Sequence, residues 1–465
     1  MNSFADVIAA VSTPPGKGGV AIIRISGAGA LALTEKMFCP MSGMTLSDYP
    51  SRMQVYGFIK DRRGKKIDDG MATYFEEGRS FTGEETVEIS SHGGTLVTSM
   101  VLECALGLGA RLAEAGEFTR RAFVNGKITL TEAESIGALL EAESREQVAL
   151  FSPDSKKKLS ESFGKISDGL TALLSEIYAR IDYPDEDLGT LSDGEIEGKL
   201  SEIKEGLHAL LCSYSTGHAI KDGIKTVIVG KPNAGKSSLY NAILGEDAAI
   251  VTDISGTTTD VLERVAVMGR VKLRLCDTAG LRDGSEVGVI EKIGIERTRA
   301  ALSDAELILA VFDTSLPLDS YDAGVIDMLT DKRSITVAVL NKLDVRSDSF
   351  DEEKIREIFD TVVSFNAKSP QPHLETLTKT VNALFTDERI VCGETAVIFG
   401  ARQRAAVETA ADLVESAISG IRRGECADMF SSQIERALRA VSEADGREVS
   451  DAVTREIFSR FCVGK

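Results

Sequence analysis

The run Gly230-Lys231-Pro232-Asn233-Ala234-Gly235-Lys236-Ser237-Ser238 constrains this chain more than any other stretch, because it fits the phosphate-loop pattern G-x-x-x-x-G-K-[ST] at every fixed position. Such a loop works only where a buried strand hands over to a helix. The β-branched segment 224–229 before it reads as that strand, and Leu239, Ala242 and Ile243 after it keep helical spacing. Backbone N–H groups at the helix N-terminus then face phosphates, Lys236 reaches the β- and γ-phosphates, and the Ser237 hydroxyl can ligate Mg²⁺. Asn233, Ala234, Gly235 and Ser238 complete the cradle. The expected ligand is a nucleoside triphosphate.

Asn341-Lys342-Leu343-Asp344 follows directly on the apolar run 335–340 and has the N-K-x-D spacing of a guanine reader. A carboxylate there accepts both the N1–H and the 2-amino hydrogens of guanine, a pairing adenine cannot return. Asp344 therefore selects GTP. Asn366-Ala367-Lys368, after a short strand candidate at 361–365, stands where an S-A-K element reads guanine O6 through a backbone N–H, with Asn in place of the usual Ser. Asp277-Thr278-Ala279-Gly280, at the end of the alternating strand 271–276, matches the D-x-x-G element that senses the γ-phosphate and Mg²⁺. Four elements in this order predict a Ras-like P-loop GTPase domain.

The rest of the chain is too long to be that domain alone. Its 465 residues fit two to four domains, and 43% hydrophobic content supplies their cores. With 72 acidic against 53 basic residues the net charge is −19, which argues against a broad basic face for nonspecific nucleic-acid binding. The seven cysteines, Cys39, Cys104, Cys212, Cys276, Cys392, Cys426 and Cys462, are scattered and never form C-x-x-C, so neither a disulfide framework nor a zinc site is expected. Residues 1–11 lack a basic targeting region, and no apolar run reaches the roughly 18 residues of a membrane span. The expectation is a cytoplasmic protein without membrane contact.

Residues 1–118 are rich in Gly and β-branched residues, with strand candidates at 20–25 and 86–90, and read as a separate α/β domain. Gly16-Lys17-Gly18-Gly19 contains the G-x-x-G of an RNA clamp, but Pro14-Pro15 excludes the helix that such a clamp needs before it. From residue 119 helical periodicity takes over. Ile166, Leu170, Leu173, Leu174, Ile177 and Ile181 form one stripe; Ile196, Leu200, Ile203, Leu207 and Leu211 form another, with Asp182-Tyr183-Pro184-Asp185 between them. Helical spacing resumes over 402–461. The predicted fold class is thus multidomain α/β plus all-α: a helical domain in two pieces, 119–218 and 386–465, interrupted by an inserted G domain at 219–385. An insertion keeps its ends close, so the two helical pieces should pack together. Arg120-Arg121 and Lys156-Lys157-Lys158 read as solvated helix ends rather than RNA contacts.

Thr13-Pro14-Pro15-Gly16-Lys17-Gly18-Gly19-Val20, Phe81-Thr82-Gly83-Glu84, His92-Gly93-Gly94, Gly116-Glu117-Phe118-Thr119, Asp277-Thr278-Ala279-Gly280-Leu281-Arg282 and the terminal Phe461-Cys462-Val463-Gly464-Lys465 together resemble the MnmE (TrmE) family of tRNA modification GTPases, over almost the whole chain. The resemblance implies a cytosolic homodimer that works with an FAD-dependent tRNA uridine 5-carboxymethylaminomethyl modification enzyme in a heterotetramer. The product would be an aminomethyl or carboxymethylaminomethyl group on the wobble uridine, U34, of certain tRNAs. It further implies GTP hydrolysis stimulated by potassium and coupled to G-domain dimerisation. The N-terminal domain is implied to dimerise and to bind 5-formyltetrahydrofolate or another tetrahydrofolate, with Arg24, Glu88, Lys127 and Lys465 at the matching positions. A carboxylate such as Glu88 can pair with a pterin's N–H and amino group, and the cations can meet the glutamyl carboxylates.

The same resemblance assigns the remaining catalytic parts. Asn233 offers an amide oxygen to K⁺, and the carbonyls of Thr252, Ile254 and Thr257 would complete an oxygen cage of the kind that replaces a hydration shell. Thr258 would ligate Mg²⁺ opposite Ser237. Many GTPases orient the attacking water with a Gln directly after D-x-x-G, but Leu281 stands here and can neither donate nor accept. The family's catalytic Glu precedes a basic-Ile-Gly step, here Lys292-Ile293-Gly294, which points to Glu291, with Glu286 as the second candidate. Cys462 reads as a packing residue and His92 as a turn residue. Two other function classes compete: a switch that binds the ribosome or rRNA, and a self-assembling helical scaffold of dynamin type. The first usually carries a basic RNA-binding appendage, which the polar helical C-terminal half does not resemble.

Overall fold

The computed structural model describes residues 6–183, 191–245, 263–276 and 301–447, with Thr454, Ile457, Phe458, Ser459, Phe461 and Gly464 near the C-terminus. Two compact units emerge, one of Met1–Leu140 with Leu438–Lys465, the other of Glu141–Ala437.

The first unit is built on a seven-stranded sheet in the order β3-β4-β5-β6-β2-β1-β7. Its strands are β1 (Ile8–Val11), β2 (Val20–Ser26), β3 (Phe38–Pro40), β4 (Gln54–Lys60), β5 (Lys66–Phe75), β6 (Thr86–His92) and β7 (Arg111–Leu112). All neighbours are antiparallel except β1 and β7. Successive side chains on a strand face opposite ways, so in β2 Ala21, Ile23 and Ile25 are buried while Arg24 takes the other face. The buried face packs with Val87 and Ile89 of β6 and with Leu33, Val101, Cys104 and Ala105 from helices α1 (Ala30–Thr34) and α2 (Thr95–Gly107). Helices α3 (Glu117–Val124) and α4 (Leu130–Leu140) follow. Phe118 of α3 joins Ile8 and Ala10 in a second cluster. Leu130 and Ala133 of α4 pack with Phe458 from the far end of the chain.

The second unit opens with helices α5 (Arg145–Leu150), α6 (Pro153–Asp182) and α7 (Asp193–Lys221). Serines start the two long ones. Ser152 accepts from the Ser155 N–H with Pro153 in the first turn, and Ser192 forms a reciprocal capping box with Glu195. Ile166, Leu170, Leu173, Leu174 and Ile177 of α6 and Ile196, Leu200, Leu207 and Leu210 of α7 are buried, each worth roughly 1.5–3 kcal/mol if fully removed from water. The helix that follows the nucleotide module, Ala401–Arg422, lies along α7: Lys204 pairs with Glu415 at 2.6 Å and Arg422 with Glu197 at 2.8 Å. The Ile398 N–H donates to Ser213 Oγ at 3.1 Å. Chain before and chain after the module are therefore packed side by side.

Between them lies a six-stranded sheet of β8 (Ile224–Val229), β9 (Glu263–Met268), β10 (Val271–Cys276), β11 (Leu307–Asp313), β12 (Thr336–Asn341) and β13 (Thr361–Ser364), ordered β13-β12-β11-β8-β10-β9. Only the β9–β10 pair is antiparallel. β11 and β12 are buried at every position, as strands covered on both faces must be, and separate apolar clusters line the two faces. The flanking helices are α8 (Lys236–Leu244), α9 (Ser320–Leu329), α10 (Glu352–Ile358) and α11 (Pro370–Phe385). Parallel strands end on one edge, so the segments after β8, β12 and β13 converge there.

Candidate nucleotide-binding site

The loop from Gly230 to Lys236 needs backbone shapes that side chains resist. Gly230 has φ +151° and Gly235 φ +98°, and Asn233 adopts the left-handed region at φ 61°. A Cβ on Gly230 would strike the Val311 carbonyl, and one on Gly235 would strike the Asn341 side-chain amide. Asn341 is 1% exposed and donates from Nδ2 to the Ala234 carbonyl at 2.8 Å, while its Oδ1 has no hydrogen-bond partner among the described residues. The first residue of the N-K-x-D run is thereby tied to the phosphate loop. Lys236 Nζ donates to the carbonyls of Gly230 and Lys231, each at 2.9 Å, across the mouth of the loop. Asn233, Ser237 and Ser238 are exposed at that mouth.

In the N-K-x-D run Lys342 adopts φ 65° and its ammonium pairs with Asp313 at 2.6 Å. Burial works to raise the Asp313 carboxyl, but Lys342 and Ser315 outweigh it and hold the group below its ordinary range. Thr314 donates to the Asn341 carbonyl from both its N–H, at 3.0 Å, and its hydroxyl, at 2.8 Å. Asp344 Oδ2 receives Lys368 Nζ at 2.6 Å, and this bond keeps its carboxyl below the usual carboxylate range. Asn366 Oδ1 accepts the Lys368 N–H at 3.0 Å, a local turn that the Ser at this position elsewhere would form more weakly. Ala367 is exposed beside it. One edge of the sheet therefore brings together Asn233, Ala234, Gly235, Lys236, Ser237, Ser238, Asn341, Lys342, Asp344, Asn366, Ala367 and Lys368. Thr252, Ile254, Thr257, Thr258, Asp277, Thr278, Ala279, Gly280, Glu286, Glu291, Cys462 and Lys465 lie outside the described residues.

In the first unit Arg24 and Glu88 are direct cross-strand partners. Nε and one terminal nitrogen of Arg24 both reach Glu88 Oε1, each at 2.8 Å, and the guanidinium lies 5.7 Å from the Phe81 ring and 5.5 Å from that of Phe118. Lys127 donates to the Gly78 carbonyl at 2.9 Å, bracing the loop that carries Phe81. His92 ends β6, and Asp68 at 2.9 Å raises its pKa. Arg121 corrects the reading of Arg120-Arg121 as solvated: it is fully buried, because the fold brings Asp6, Glu84 and Glu117 to it at 2.8–3.1 Å and their carboxylates compensate its charge. Arg120 is one-quarter exposed and pairs with Glu114. These contacts join the Phe81-Thr82-Gly83-Glu84 and Gly116-Glu117-Phe118-Thr119 segments, a link the separate motifs did not announce.

A family model described as the GTP-binding protein TrmE N-terminus matches residues 7–127, and one described as the MnmE helical domain matches residues 130–462. The chain belongs to the MnmE family of tRNA modification GTPases. The tRNA modification GTPase MnmE of Thermoanaerobacter sp. (strain X514) is 37% identical over 466 residues, covering 99% of each chain. That of Thermotoga petrophila is 38% identical over 465 residues, covering 99% of this chain and 100% of its own. The G domain of the T. maritima FeoB iron transporter aligns over 35% of this chain and 98% of its own, at 22% identity and a TM-score of 0.27. MnmE membership makes the chain a GTPase. No helix among the described residues is long and apolar enough to cross a membrane.

Proposed function

We propose that this chain is the GTP-hydrolysing component of a system that adds an aminomethyl or carboxymethylaminomethyl group to the wobble uridine of tRNA, as a cytoplasmic homodimer with an FAD-dependent partner enzyme and a tetrahydrofolate as one-carbon donor. The observation that carries the reading is the pairing, in one chain, of a GTPase module with a separate unit in which Arg24 pairs with Glu88 and lies 5.7 Å from the Phe81 ring. Among the described residues Arg24 engages Glu88 through Oε1, so Oε2 would accept a pterin's N–H and amino hydrogens beside the exposed Phe81 ring. Lys127 and Lys465 would meet the glutamyl tail.

In the GTPase module Lys236 would exchange the Gly230 and Lys231 carbonyls for the β- and γ-phosphates, and Asp344 would release Lys368 to grip guanine. The donors present suit hard cations: exposed hydroxyl and amide oxygens at the loop mouth. Ser237 and Thr258 would hold Mg²⁺, and Asn233 with Thr252, Ile254 and Thr257 would hold K⁺, so that positive charge opposes the charge developing on the transferring phosphoryl group. Asp277 and Gly280 would sense the γ-phosphate, and Glu291 or Glu286 would orient the attacking water. The test compares GTP hydrolysis in K⁺ and Na⁺ at equal ionic strength for the wild type and Asn233→Ala, with calorimetric titration of 5-formyltetrahydrofolate into the wild type and Glu88→Ala. A K⁺ requirement lost in Asn233→Ala and a folate site lost in Glu88→Ala are expected. Equal rates in both salts would reject the cation cage, and absence of folate binding would move the reading toward an rRNA-binding switch.

A further inference from the structure

Lys231, the residue after the first loop glycine, carries none of the phosphate-binding roles above, yet its side chain is only 6% exposed. Its ammonium meets Asp322 Oδ2 at 2.7 Å and Asp319 Oδ2 at 3.0 Å. These two carboxylates open α9. Asp319 Oδ1 accepts the N–H groups of Tyr321 and Asp322, and Asp322 Oδ2 accepts the Asp319 N–H at 3.1 Å, so the phosphate loop supplies a third member to a reciprocal capping box. Asp322 is 1% exposed. Burial alone would lower the Lys231 pKa, but the two carboxylates outweigh it and the ammonium stays charged. Removing Lys231 would leave the buried Asp322 carboxylate without its cation.

The segment that ends in this box begins at the other half of the site. Asp313 holds Lys342, and Thr314 holds the Asn341 carbonyl through two bonds. Residues 313–322 are therefore bonded at one end to the guanine reader and at the other to the phosphate loop. The Lys231 carbonyl, oriented by that anchored side chain, accepts both Lys236 Nζ and, at 3.3 Å, the Ala234 N–H.

We propose that residues 313–322 are a brace that presets both halves of the GTP site, and that Lys231 and Asp322 are positioning residues acting through it on the phosphate loop. The brace holds the loop amides in converging directions before nucleotide arrives, so the cost of ordering them is not charged against binding. Because the amides contact the phosphates that GDP and GTP share, the effect falls on the affinity for both and on KM rather than on kcat.

Full-length protein tests this with a fluorescent GDP analogue and steady-state hydrolysis. Lys231→Met should weaken GDP binding and raise KM for GTP by about tenfold or more, and Lys231→Arg, which keeps the charge and can reach both carboxylates, should stay within about threefold of wild type. Asp322→Asn should reproduce the loss of Lys231→Met, and the double variant should be no worse than the poorer single one, as coupled partners require. Melting of the nucleotide-free proteins separates positioning from folding. A lowered melting point with an unchanged dissociation constant in the folded protein would overturn the proposal, and so would strictly additive losses. If Lys231→Met does not fold, the comparison of Asp322→Asn with wild type decides alone.

Discussion

The guanine contact proposed for Asp344 needs an ionised, exposed carboxylate, and Lys368, on Oδ2 at 2.6 Å, holds this exposed group below the usual carboxylate range. Its specificity rests on accepting two hydrogens, so Asp344→Asn presents a donor where guanine also donates. The variant should lose GTP affinity by on the order of 10²-fold or more and prefer xanthosine triphosphate, whose 2-carbonyl accepts. Competition binding with both nucleotides measures this, and GTP affinity kept within threefold would contradict the assigned role. At this scale the motif residues were legible because their chemistry dictates both type and spacing. What spacing omits is the reason for each: Gly235 is demanded by its own φ and also by the Asn341 amide lying where a Cβ would go. Arg121 was misread for the opposite reason, since a two-residue basic run contains no information about the three carboxylates that the fold brings to it.

Elements were legible where burial is uniform. The strands β8 and β10 carry the bounds expected of them, one as a β-branched, largely buried run and the other as strict alternation. β4 and β5 escaped notice because β5 is mostly half-buried and opens Lys-Ile-Asp-Asp-Gly, a pattern indistinguishable from a polar loop until β4 and β6 flank it. The joint between helix α7 and the nucleotide sheet was equally hidden. His218, near the C-terminus of α7, bonds Asp222 through Nδ1 at 3.1 Å and Glu306 through Nε2 at 3.0 Å, and Glu306 also accepts the Lys225 N–H at the start of β8. Asp222 first and Glu306 second raise the His218 pKa from 6.5 to about 9. A group whose pKa is raised on folding stabilises the folded state fully below its unfolded value and loses that contribution as pH rises through the folded value. The stability difference between wild type and His218→Leu, on the order of 2 kcal/mol after allowance for screening, should hold steady below pH 6.5 and shrink toward pH 9. Chemical denaturation across that window checks it; a difference that grows with pH would show that the ion pairs are not its source.

At the scale of the whole molecule, the chain leaves its first compact unit after residue 140 and returns to it at 438, so that unit is closed by segments far apart in sequence. Helical spacing in 402–461 gave notice of helices there but not of which unit their last turns would join, since periodicity identifies a buried face and not its partner. The closure is specific. Thr131 Oγ1 donates to the carbonyls of Ala444 and Asp445, and Gly446, at φ +80°, presses against Leu130 so closely that a Cβ there would lie 2.7 Å from the Leu130 Cβ and 3.0 Å from the Thr131 nitrogen. Gly446→Ala combines left-handed strain with that overlap and should destabilise the first unit by about 1–3 kcal/mol. The elements of the proposed GTP site all belong to the other unit, Glu141–Ala437. The variant should therefore bind a fluorescent GDP analogue with wild-type affinity while the first unit melts early, which differential scanning calorimetry with and without nucleotide resolves. A parallel loss of nucleotide affinity would mean that the two units fold as one cooperative body. In that case the segment Leu438–Lys465 would govern the GTPase as well.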